Sequence, residues 1–386
     1  MEKFFSYLQS LEAELVDFRR DLHMYPEVSH EEVETPKKIA AYLEKLGLEV
    51  RTGVGGRGVL GILHGGLPGK TVALRADFDA LPIQDEKDVD YKSRVSGVMH
   101  ACGHDVHTSA LLGVAKVLSK FKDEVPGTIV FVHQFGEEMT PGGAKPMIDD
   151  GCLDGVDIIY GAHVMSNLPV GQFGVRAGYI SSAQDDFTIE VHGKGGHGAM
   201  PHMTVDALVT GSQLVTNLQQ IVSRRVSPMD SAAVTVGSFH SGEGHNVIPE
   251  KAVLKGTVRT YSAEARDMIE QALHNITKMT CEAAGAGYEI DYVRDCPSMY
   301  NEPVESERIR QLGVEIFGEE HTVEAEPLMG SEDFAYFQEE VPGVYFILGG
   351  GNPEIGADYP HHHPMFNVDE RAIGNIAKMM LTAVMK

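Results

Sequence analysis

The sequence predicts an α/β protein with a central mixed sheet, interrupted by an inserted ferredoxin-like α+β unit. Three observations carry this reading. Short β-type runs alternate with amphipathic helical runs over residues 1–181. From residue 185 the order becomes strand, helix, strand, strand, helix, strand, the βαββαβ order of a ferredoxin-like unit. From about residue 297 the first pattern resumes, so residues 1–181 and 294–386 are expected to form one domain and residues 182–293 another.

Composition bounds what such a chain does. Its 386 residues, 42% hydrophobic and 23% charged, suit a water-soluble protein of about two domains. A net charge of -24 argues against a nucleic-acid partner, because neutralising phosphates takes clustered Lys and Arg. Residues 1–6 lead into charged residues instead of an apolar run, and no transmembrane stretch follows, so no membrane association and a cytoplasmic location are expected. Cys102, Cys152, Cys281 and Cys296 lie far apart and make no metal-finger spacing.

In chain order, Phe4, Leu8, Leu11, Leu15, Phe18 and Leu22 recur at helical spacing, predicting one helix over residues 3–22. A second helix starts at either Ser29 or Thr35-Pro36 and closes at Gly47. Strands are expected at 48–51, 59–63 and 71–76, the last two as neighbours across the turn-forming residues 64–70. A helix over 108–121, a strand over 127–134 and a strand over 157–162 ending at His163 complete the first half. In the insert, strands at 187–192, 232–240, 251–260 and 288–293 alternate with helices at 204–225 and 263–284. A helix over 305–317, a strand over 344–348 and a helix from Glu370 close the chain. Strand pairing between two copies of the insert would protect its edge, which predicts a homodimer or higher homo-oligomer.

The chemistry concentrates at residues 100–107, His-Ala-Cys-Gly-His-Asp-Val-His, with one thiol, one carboxylate and three imidazoles in eight positions. Cysteine and histidine are transition-metal ligands, and neighbouring Asp residues hold such imidazoles in one tautomer. Asp77 and Asp79 follow the strand at 71–76, Glu137 and Glu138 follow the strand at 127–134, and His163 ends another strand. Ends of strands are where open α/β sheets carry their sites. His361-His362-His363 then lies in a long loop, where at least one of the three is expected to ligate. These are more donors than one tetrahedral ion takes, which favours two ions sharing a bridging ligand and a water. A carboxylate is also needed to move the proton of that water, and the Glu137-Glu138 pair can fill both jobs. His197, Asn246 and Arg259, in and beside the insert's glycine-rich loops, are good donors to an anionic substrate or an oxyanion. No Gly-x-Ser-x-Gly nucleophile motif is present.

Residues 100–107, together with Arg75-Ala76-Asp77-Phe78-Asp79-Ala80-Leu81-Pro82-Ile83, Glu137-Glu138, Gly195-Gly196-His197-Gly198-Ala199-Met200-Pro201-His202 and His362, resemble the aminoacylase/hippurate hydrolase branch of the dinuclear metallopeptidase superfamily, which includes auxin-conjugate hydrolases. The resemblance runs from Arg19-Arg20-Asp21-Leu22-His23 to the final helix. It implies a catalytic α/β domain with an inserted lid domain, and two divalent ions held by Cys102, His104, Glu138, His163 and His362. It further implies that Glu137 is the general base, that His197 reaches an active site, its own or a partner subunit's, and that Asn246 and Arg259 meet the substrate carboxylate. Asp77, Asp79 and Asp105 would support the ligands from behind. Zinc or manganese is expected first, with cobalt or nickel as further candidates. The implied substrate is an N-acyl amino acid. A dipeptidase or aminopeptidase-like activity on short peptides and a metal-holding binding protein without catalysis are the alternatives. Phe135 in Gln134-Phe135-Gly136-Glu137-Glu138 and His363 depart from the family's usual residues and bear on substrate preference.

Overall fold

The computed structural model describes residues 1–386. They form two compact units, one of Met1–Ile180, Tyr300–Glu326 and Asp333–Lys386, the other of Ser181–Met299 and Pro327–Glu332. The second unit thus extends past the expected 182–293. Gln184 exchanges backbone hydrogen bonds with Asp295 and Cys296, and the Ser182 N–H bonds the carbonyls of Leu328 and Gly330.

The first unit is built on an eight-stranded mixed sheet. Its spatial order is Glu49–Val54, Gly58–His64, Pro126–Gln134, Leu67–Asp77, Ile158–Pro169, Gly343–Gly351, Phe173–Val175 and Thr322–Glu324. The strands Gly58–His64 and Leu67–Asp77 are therefore not neighbours as expected. Pro126–Gln134 lies between them, antiparallel to the first and parallel to the second. Its run Ile129–Gln134 is buried residue after residue, which marks a strand covered on both faces, whereas an edge hairpin would alternate. The helix His104–Lys120 supplies part of that cover and packs on the helices Glu12–Met24 and Arg371–Met385.

The expected first helix is two, Glu2–Ser10 and Glu12–Met24. At the junction the Ser10 hydroxyl donates to the Tyr7 carbonyl at 2.6 Å and Leu11 N–H bonds the Leu8 carbonyl at 3.0 Å, a tighter turn between the two helices. The next helix, Glu34–Lys45, takes the Thr35-Pro36 start. The Glu27 carboxylate caps it, accepting from the N–H groups of Val33, Glu34 and Thr35.

In the second unit the strand order is Ala232–Ser241, Lys251–Thr260, Ala183–His192, Gly287–Arg294, all antiparallel, as a ferredoxin-like unit requires. Phe187, Ile189 and Val191 alternate inward along one strand and meet Leu214, Leu218, Ile269 and Leu273 from the two helices. Ser262 caps Ala263–Ala284 at its start and Gly285, at φ +71°, closes it. The helix expected over 204–225 is divided into Ala207–Leu218 and Gln220–Arg224, with the Asp206 side chain capping the first.

Candidate metal centre

Parallel strands bring their C-terminal ends to one edge of the sheet, and the candidate ligands gather there. Asp77 stands level with Gln134, so the Asp77–Asp79 and Glu137–Glu138 segments leave the sheet side by side. His163 does not end its strand, which runs on to Pro169. Arg75 pairs with Gly161, so His163 lies level with Asp77, where the neighbouring strand stops. Gly103, at φ +97°, turns residues 100–103 into the helix His104–Lys120, and a Cβ there would come within 2.4 Å of Val164 Cγ1. The His362 N–H bonds the Ala101 carbonyl at 2.9 Å, stitching the C-terminal histidine loop to the same segment.

The donors form overlapping triads. Ligand atoms of Cys102, His104 and His163 lie within 4.8 Å of one another, as do those of Cys102, Glu138 and His362, and those of His104, Glu137 and Glu138. Cys102 Sγ is 3.3 Å from His163 Nε2, and His362 Nε2 is 3.3 Å from Glu138 Oε1. Donors sharing one tetrahedral zinc ion stand roughly 3.3–3.6 Å apart. His104 Nε2 lies 3.9 Å from Glu138 Oε1 and 4.0 Å from Glu137 Oε2. Two atoms of this cluster, His104 Nε2 and Glu138 Oε1, are buried without a hydrogen-bond partner. Buried polar atoms are rarely left so unless an ion or water completes them. The residues therefore fit a bound cation, and the two triads that share Cys102, with His104 and His163 in one and Glu138 and His362 in the other, fit a pair.

Electrostatics agree. Burial, reinforced by the Glu138 charge, pushes the Cys102 thiol well above its usual range. Burial works against charge on His104, but Asp77 and the Asp79 hydrogen bond outweigh it and lift the imidazole well above its usual range. The cluster is an acidic basin that draws in positive charge.

Supporting residues fix the ring faces. His104 Nδ1 donates to Asp79, with the backbone carbonyl and Oδ1 both at 3.0 Å, leaving Nε2 toward the cluster. His163 Nδ1 donates to the Val164 carbonyl at 2.8 Å, leaving Nε2 toward Cys102. His107 is differently engaged: its Nε2 accepts from Val164 N–H at 2.9 Å and its Nδ1 donates to Asp77 at 2.6 Å, so neither nitrogen is open. Asp77 also pairs with Arg75 at 2.6 Å. Asp105 points away from the donors, to Arg19 Nε and His23 Nδ1, each at 2.8 Å. Of the three consecutive histidines, His361 donates Nε2–H to Val164 at 3.0 Å and burial pushes it down to about 4, while His363 stacks on Tyr359 and accepts from Met365 N–H.

Sequence reasoning passed over two groups beside the site. Arg75, Gln134 and Asp333 form a buried network, with Arg75 bonding Gln134 at 2.8 Å and Asp333 at 3.0 Å. The turn through Ser29 and Glu32 contacts both Asp79 and Gly136. Polar residues inside otherwise apolar strand ends were the available signal for the first.

His197, Asn246 and Arg259 belong to the second unit. There His197 pairs with Val247 and the Gly198 N–H bonds the Asn246 carbonyl at 2.9 Å, so the two glycine-rich loops are knitted together. Arg259 binds its own strand through the Thr257 hydroxyl and the Val258 carbonyl.

The ends of these parallel strands, carrying this donor set, define a candidate metal-binding site. Residues 73–386 match the peptidase family M20/M25/M40, and the chain belongs to that family. It is 40% identical to thermostable carboxypeptidase 1 of Saccharolobus solfataricus, over 99% of this chain and 98% of the relative. It is 38% identical to N-acetyl-L-cysteine deacetylase of Bacillus subtilis, over 95% of this chain and 86% of the relative. It is similar to the crystal structure of Bacillus subtilis YXEP, described as a dinuclear metal binding peptidase of the M20 family, with a TM-score of 0.85, 32% identity and 98% of each chain covered. The protein is a hydrolase acting on amides. No helix is long and apolar enough to cross a membrane.

Proposed function

We propose that the protein cleaves the amide bond of N-acyl amino acids, releasing the amino acid and a carboxylate. The observation that carries this is the pair of donor triads sharing Cys102, with the Glu137 carboxylate 4.0 Å from His104 Nε2 beside them. In this reading Cys102, His104, Glu138, His163 and His362 hold two divalent ions, zinc or manganese before cobalt or nickel. When bound, such ions polarise the amide carbonyl and acidify water. Glu137 takes the proton from the water that attacks the carbonyl carbon and delivers it to the leaving nitrogen, so the C–N bond breaks to a free amine. Asp79 keeps His104 in the tautomer that presents Nε2. His197, Asn246 and Arg259 are proposed to serve the substrate's carboxylate and the developing oxyanion, which substitution of each tests separately. The thiol ligand suits a reducing compartment, hence the cytoplasm. The edge strand Ala232–Ser241, with Phe239 exposed on it, is proposed as the homodimer contact.

A second reading, a peptidase acting on unblocked peptides, is favoured by the likeness to a carboxypeptidase. Assaying N-acetyl, N-benzoyl and N-indoleacetyl amino acids beside free dipeptides separates the two. Turnover of the N-acyl compounds supports the first reading, and turnover of dipeptides alone replaces it with the second.

A further inference from the structure

The turn Ser29–Glu32 belongs to no part of the reaction described so far, yet it grips the segment that carries the acid pair. Glu32 is buried, and its Oε1 accepts the Gly136 N–H at 2.9 Å. His30, held at φ +65°, lies 2.9 Å through Nε2 from the Met139 carbonyl. The Ser29 hydroxyl donates to Asp79 Oδ2 at 2.6 Å, and that same oxygen accepts the Glu138 N–H at 3.0 Å. Residues 136 to 139 are thus held at three backbone groups, before, within and after the Glu137-Glu138 pair. Gly136 is itself at φ +65°, and a Cβ there would meet the His30 ring at 2.8 Å, so corner and turn are fitted to each other. Phe135 is buried edge-on against the His30 ring at 5.7 Å, which makes it a brace for this turn.

We propose that Glu32 is a positioning residue for Glu137, fixing through the Gly136 N–H the corner from which the acid pair leaves its strand. The proposal rests on the reading of Glu137 as general base. Glu32 is an expensive residue for the fold to keep in this place. Its Oε2 has no hydrogen-bond partner, with Arg57 Nε 3.8 Å away, and burial with the nearby Asp79 charge pushes the carboxyl up to about 7. Packing alone would be better served by an apolar side chain. An acceptor is what the Gly136 N–H needs, since an unmet buried N–H lets the corner shift to find another partner.

The test compares the metal-loaded full chain with Glu32→Gln, Glu32→Ala and Glu32→Asp, measuring kcat, KM, metal per chain and amide hydrogen exchange of residues 136–139. Gln keeps an oxygen for Gly136, so its kcat stays within about threefold and its exchange matches wild type. Ala removes the acceptor and Asp withdraws it, so each lowers kcat roughly 10- to 100-fold and speeds exchange, with KM and metal content unchanged. Wild-type kcat and exchange in the Ala and Asp variants, a Gln variant as impaired as they are, or a loss that follows lost metal overturns the proposal. If wild type cleaves none of the amides, the proposed function fails, while the exchange measurement still decides the role of Glu32.

Discussion

Cys102 Sγ and His163 Nε2 stand 3.3 Å apart, and the other nitrogen of His163 is tied to the Val164 carbonyl. Sulfur and nitrogen lone pair therefore face one point. Cys102→Ser is expected to lower both bound metal and turnover, because an alcohol is a far weaker zinc ligand than a thiolate. Because burial keeps the thiol protonated in the empty site, metal binding is also expected to release a proton and to weaken as pH falls. Full metal content and activity in the serine variant would remove Cys102 from the ligand set.

Three adjacent histidines make separate predictions. His362, at φ +64°, aims Nε2 at Glu138, while His363 stacks on Tyr359. His362→Ala is expected to cost metal, read by elemental analysis after dialysis, and His363→Ala to leave the metal content at the wild-type value. Equal metal loss in both variants would mean the loop as a whole, not one ring, is needed.

Asp79 accepts from His104 Nδ1, Ser29 Oγ and Glu138 N–H. Asp79→Ala removes the group that orients one ligand and steadies another, so metal affinity is expected to fall about 10- to 100-fold by competition with a chelator. A variant with wild-type affinity would leave His104 orientation to the Asp79 backbone carbonyl alone.

His133 lies inside the sheet, and burial pushes it down to about 3. The unfolded chain holds it near 6.5, so between those values the unfolded state binds the extra proton and stability is lost as pH falls. His133→Phe is expected to flatten the decline of Tm from pH 6.5 toward 4, a single such group contributing up to about 1.4 kcal/mol per pH unit. An unchanged slope would assign the decline to other groups.

The sequence made the insert's strand and helix order legible because each element carries its own period and cap, as Ser262 and Gly285 do for Ala263–Ala284. The donors were legible because Cys, His and paired Glu are rare together at strand ends. What escaped is what depends on distance through space. Nothing in residues 58–77 announces that Pro126–Gln134 separates the two strands there, since parallel pairing leaves no local turn to read. The break at Leu11 is one tightened turn, where Leu11 N–H bonds the Leu8 carbonyl, and it leaves the apolar stripe unbroken. Glu32 escaped for the same reason, lying 104 positions from the Gly136 it touches.

The role of Glu137 as general base is tested most directly by comparing metal-loaded wild type with Glu137→Gln on an N-acetyl amino acid, with metal content measured in the same samples. Wild type is expected to release the amino acid, and the variant to hold the same metal per chain while kcat falls roughly 100- to 10,000-fold. A variant that keeps its metal and turns over at the wild-type rate would contradict that role.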